Sequence, residues 1–143
     1  MRRRFAIAVA LTLLTACGGG SAPSSPTPTL NLAGTWTGTW QFVTSGATIV
    51  DTVTATLTQA GSTVSGTWTS ESGATGQISN LAAQASVSGS LTISQPTLTG
   101  PACTATTSVS GTASASSIDL TLPQIPGSGA CQWGSSMQFS LRK

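Results

Sequence analysis

Gly34-Thr35-Trp36-Thr37-Gly38-Thr39-Trp40-Gln41-Phe42 decides the fold. Glycine or an aromatic residue takes every even position, and threonine or glutamine every odd one. A period of two marks a strand with one buried face. The same pattern continues outward from this stretch. Val53, Ala55 and Leu57 alternate with Thr52, Thr54, Thr56 and Thr58, and Val64, Gly66 and Trp68 with Thr63, Ser65, Thr67 and Thr69. It persists through Val87 to Ile93, Val109 to Ala113, Ile118 to Leu122 and Met137 to Leu141. No segment carries a helical period. The alternation predicts strands over residues 34–43, 48–59, 63–70, 74–79, 85–95, 103–113, 117–122 and 131–141.

Val64-Ser65-Gly66-Thr67, Val87-Ser88-Gly89-Ser90 and Val109-Ser110-Gly111-Thr112 recur about every two strands. Such a repeat suits successive hairpins in a meander. An even number of antiparallel strands returns the last beside the first, so closure pairs both edges. An open threonine-rich sheet would leave edges prone to aggregation. The expected fold is therefore all-β, an eight-stranded antiparallel up-and-down barrel. A two-sheet β-sandwich is the alternative that shares the alternation.

Ahead of the barrel, Gly18 to Thr29 reads GGGSAPSSPTPT, without apolar periodicity. It is expected to be an extended tether, reaching up to about 40 Å. Met1-Arg2-Arg3-Arg4 and the uncharged run Phe5 to Leu14 form the basic and apolar parts of an export signal, too short to span a bilayer. The signal ends in Leu14-Thr15-Ala16-Cys17, which resembles the lipobox of bacterial lipoproteins. The resemblance implies cleavage before Cys17, a thioether-linked diacylglycerol on its sulfur and an acylated amino group, palmitate among the chains. Acyl chains contribute ~0.8 kcal/mol per buried methylene, so two or three of them hold a protein to its membrane. Gly18 after the cysteine, where the sorting rule of enteric bacteria reads Asp as retention, implies the outer membrane of the cell envelope. The expected organisation is residues 1–16 as signal peptide, 17–29 as lipidated cysteine and tether, and 30–143 as the barrel.

Arg2, Arg3 and Arg4 leave with the signal, so Arg142 and Lys143 stand against Asp51, Glu71 and Asp119. The mature protein is nearly neutral and has no basic stripe for phosphates, which excludes nucleic acid as a partner. The chain has no His and no Tyr. A Ser-His-Asp relay or a Cys-His pair is therefore out of reach, and zinc sites of the usual type lack ligands. No cofactor and no enzymatic activity are expected.

Gly34-Thr35-Trp36 on the first strand resembles the Gly-x-Trp opening of lipocalin and avidin type barrels, the calycins. In lipocalins a basic residue late in the last strand packs over that Trp, and Arg142 is placed for the role. Leu32-Ala33-Gly34-Thr35-Trp36 is also similar to the start of small bacterial barrel lipoproteins and periplasmic metalloprotease inhibitors.

Cys103 and Cys131 remain once Cys17 is acylated, and an exported pair is normally oxidised. One structural disulfide is expected, at the end of the barrel where both of their strands start. Trp36, Trp40, Trp68 and Trp133 fall on apolar positions, with Phe139 beside them in the pattern. Either they fill the core, with inward Gly38, Gly66, Gly89 and Gly111 making room for the indoles or letting the strands coil tightly, or those glycines leave a cavity for a small apolar ligand. Asp51 falls between Ile49 and Val53 on the inward parity, and a barrel-mouth position suits its charge better than burial. Were it inward, it would orient a ligand, with Gln132 and Ser135 as weaker candidates.

Three functions fit. One is a lipocalin-like carrier or sensor of a small apolar molecule. Another is a protein-binding module such as a periplasmic protease inhibitor, acting through loops or the first residues of the domain. The third is a structural envelope lipoprotein whose threonine-rich exterior meets other envelope components. A monomer is expected in each case.

Overall fold

A computed structural model describes residues 29–44, 47–97, 100–125, 131, 133 and 137–143. Eight strands run through these residues: β1 (Gly34–Thr44), β2 (Ala47–Ala60), β3 (Thr63–Ser70), β4 (Thr75–Ala82), β5 (Ser86–Gln95), β6 (Cys103–Ala113), β7 (Ser117–Leu122) and β8 (Met137–Arg142). Each is antiparallel to the next, and β8 returns to β1 to close the barrel. The up-and-down barrel expected from the alternation is the fold. No helix occurs among the described residues.

Parity sorts the side chains as the sequence requires. Trp36, Trp40, Val53, Ala55, Leu57, Trp68, Ile78, Leu91, Ile93, Leu120, Phe139 and Leu141 are buried inside. Their neighbours in sequence form a hydroxyl-rich outer wall. One row around it runs Thr37, Thr54, Thr69, Thr75, Ser94, Thr104, and the next Thr35, Thr56, Thr67, Gln77, Thr92, Thr106. No polar or charged residue is buried among those described. At about 25 cal/mol per Å² of apolar surface removed from water, the inner face supplies the main drive for closure.

The last strand departs from expectation. The alternation extends it over residues 131–141, yet β8 begins at Met137, and Cys131 and Trp133 lie outside it. Leu122↔Met137 is the final rung between β7 and β8. β7 itself ends at that rung.

The inward glycines serve the curvature of the wall. A Cβ on Gly38 would fall on the Ser140 carbonyl and within 2.9 Å of the Leu141 Cα. Gly66 and Gly111 abut the backbone of Thr56 and Asp119 in the same way. The neighbouring strand occupies the place of the missing side chain, which is how a small sheet coils tightly.

One end of the barrel is stoppered by the residues that precede β1. Leu32 is fully buried there. The Leu30 amide donates to the Ala83 carbonyl at 2.8 Å. Gln59 straddles the segment, its Oε1 accepting from the Leu32 amide and its Nε2 donating to the Leu30 carbonyl, both at 2.8 Å. The described chain therefore enters the barrel at this stoppered end.

Candidate functional site

Trp36, Trp40, Trp68 and Phe139 line the inner face. Trp36 stands over the stopper, and its indole Nε1 donates to the Leu32 carbonyl at 2.9 Å. A cation does cover its ring, but it is Lys143 rather than Arg142. The ammonium lies 5.3 Å from the ring centroid and donates to the Ala33 carbonyl at 2.6 Å. Arg142 follows inward Leu141 and faces out, where it pairs with Asp119 at 2.8 Å.

Trp40 and Trp68 lie toward the other end, with ring centroids 5.2 Å apart. Phe139 meets Trp68 edge to face at 5.2 Å, and Phe42 meets Trp40 likewise at 5.3 Å. Such aromatic pairs contribute about 0.5–1.5 kcal/mol each beyond their buried area. The Nε1 atoms of Trp40 and Trp68 are buried and have no hydrogen-bond partner. Trp133 is half-buried and packs on the core from outside the strands. Four of the five aromatic candidates thus share the interior, and Trp133 sits at its margin.

Asp51 stands at the mouth, the position its charge favours. Its Oδ2 accepts from the Ser72 hydroxyl at 2.5 Å and the Ser72 amide at 3.3 Å, which fastens β2 to the turn between β3 and β4. Partial burial raises its carboxyl, but hydrogen bonds from Ser70, Ser72 and the Thr52 amide outweigh that and hold it below the usual carboxylate range. The residue serves the turn, with no side chain from the interior among its partners.

Cys103 and Cys131 lie at disulfide distance, with Cα atoms 5.5 Å apart. Cys103 opens β6 on the mouth side, and the pair ties the chain ahead of β8 to that strand. Cross-linking across 28 residues stabilises by roughly 3.5 kcal/mol in the chain-entropy model. Cys17, Gln132 and Ser135 lie outside the described residues.

Two shallow grooves mark the outer wall. One, of about 320 Å³, runs past Thr112, Asp119, Thr121, Gln138 and Ser140. The other, of about 430 Å³, is lined by Thr67, Trp68, Thr69, Thr75, Gly76, Gln77, Thr92 and Ser94. The first presents hydroxyls, the Gln138 amide and the Asp119 carboxylate, and the second is mainly apolar, with Trp68 and Gly76 in its lining.

Sequence reading did not single out Leu32, Gln59 or Lys143. Gln59 and Lys143 act on residues 27 and 110 positions away, and no local pattern announces such contacts.

Fold and site together define an eight-stranded closed antiparallel barrel with an aromatic interior, an architecture compatible with lipocalin-like barrels. Comparison with family models, with curated proteins and with solved structures finds no match.

Proposed function

We propose that this chain is a lipid-anchored lipoprotein of a bacterial envelope, held to the outer membrane through Cys17, and that it works as a non-enzymatic interaction module. Its partners meet the rim or the outer wall, in the manner of a periplasmic protease inhibitor or a structural envelope protein, while the interior serves as its core. One observation carries the reading. The space that inward glycines would open is taken by neighbouring backbone, and indole and phenyl rings in mutual contact occupy the interior. Titration with an environment-sensitive fluorescent fatty acid is expected to show no saturable binding. Stoichiometric, saturable binding would overturn it. The anchor is tested separately by Cys17→Ser, which is expected to move the protein from the membrane fraction to the soluble one.

A second reading, a carrier of a small apolar molecule, is favoured by the unpartnered indole N–H groups of Trp40 and Trp68. A buried donor without a partner costs about 1–3 kcal/mol. An acceptor atom on a ligand would recover that cost.

A further inference from the structure

Among the described residues the wall gives way beside the β1–β2 hairpin. β1 keeps its β8 partner from Thr37 to Phe42, and β2 keeps its β3 partner from Val53 to Ala60. Beyond those rungs the hairpin continues as a two-stranded arm, with Val43 and Thr44 paired to Thr48 and Ala47. Ile49, 42% exposed, and Val50, 59% exposed, are the exposed large hydrophobic residues among those described.

Strand alternation fixes which backbone groups the arm leaves open. The Thr52 carbonyl accepts from the Glu71 amide on the β3 side, at 3.0 Å. Val50 and Thr48, two and four residues earlier, turn their N–H and C=O groups to that same side, where β3 has already ended. Free edges of this kind are ordinarily guarded by lysine, proline or a bulge. Ala47–Val50 has none of these: no residue from Gly34 to Val50 is charged or a proline, and the β1–β2 register is unbroken.

We propose that the Ala47–Val50 edge of β2 is an interaction surface for a second copy of this chain. A two-fold axis through Ile49 sets Thr48 of each copy against Val50 of the other. Both rungs then exchange N–H···O=C bonds in each direction, and the two Ile49 side chains meet on the axis, where directly opposed Cβ atoms lie about 4.5–5.5 Å apart. Because the edge is uncharged, its pairing with itself brings no like charges together, and the interface is self-complementary as a two-fold one must be. The two-fold axis reverses the barrel, so the stoppered ends point away from each other. The inference departs from the monomer expected of a closed barrel, and it is independent of what the interior holds.

The test is the full chain carrying Ile49→Cys, produced in an oxidising bacterial envelope and compared with the parent chain and with Thr37→Cys on the outer wall. A disulfide-linked dimer specific to Ile49→Cys is expected. Adding Val50→Pro removes one free-edge donor from each copy and no hydrogen bond within the barrel. It should weaken the dimer at least roughly tenfold while leaving the melting temperature of the barrel in place. Sedimentation of the detergent-solubilised parent chain should give twice the monomer mass at high concentration. A parent chain that sediments as a monomer overturns the proposal. So does a cross-link no stronger than that of Thr37→Cys, or one to a different protein.

Discussion

Gly38 shows how a single missing side chain is fixed by a neighbour 102 residues later in the chain. The Ser140 carbonyl stands where its Cβ would be, and the Leu141 Cα lies 2.9 Å from that point. Overpacking of this kind costs about 1–3 kcal/mol, and ~1 kcal/mol moves the melting temperature of a small domain by roughly 4–8 °C. Gly38→Ala is therefore expected to lower it by several degrees in a thermal scan, whereas Thr37→Ala, one residue away on the outer wall, leaves it nearly unchanged. Equal effects of the two would show that the strands do not crowd there. The inward place of Gly38 was legible from parity. The neighbour that crowds it was not, because the crowding atom belongs to β8. The same limit explains the exchange of Arg142 for Lys143 over Trp36: Arg142 follows inward Leu141 and pairs with Asp119 outside, and only the end of β8 shows that the next residue folds back over the stopper.

At the scale of elements, the strand order and most strand limits follow from alternation, since each inward residue must be apolar or glycine. The exception is instructive. Cys131 and Trp133 continue the parity of Met137, Phe139 and Leu141, so sequence alone extends the last strand to them. β8 begins at the rung where β7 ends, Leu122↔Met137, which no pattern within residues 131–141 records. Two carboxylates fasten elements to each other. Asp51 holds the β3–β4 turn, and Asp119 bridges β7 to β8 through Arg142. At Asp119, as at Asp51, partial burial raises the carboxyl. Hydrogen bonds from Arg142 and Ser140, with the Arg142 charge, outweigh it and hold the group below its usual range. Both are depressed in the folded state, so the stability they supply is present above the unfolded carboxylate value of about 3.9. It is lost as pH falls through the lower folded values. With no His in the chain, the urea midpoint is expected to stay level from pH 8 to 5 and to fall below about pH 4. A midpoint that rises on acidification would contradict these assignments.

For the whole molecule, closure was the most legible property, because an even meander joins its own edges, and β1 does pair with β8. Whether the closed barrel is hollow was not legible. Inward glycines serve equally well to open a cavity or to let strands approach, and the choice depends on distances between strands far apart in sequence. The structure supports approach, with Trp36, Trp40, Trp68 and Phe139 buried in one core. The central claim is that this interior is complete without cargo. Native mass spectrometry tests it most directly, on the domain from Leu30 to Lys143 purified gently from the envelope and on the same protein after unfolding and refolding. The account predicts the polypeptide mass, without adduct, in both samples. A discrete adduct that disappears on refolding would contradict it and would give the mass of the cargo.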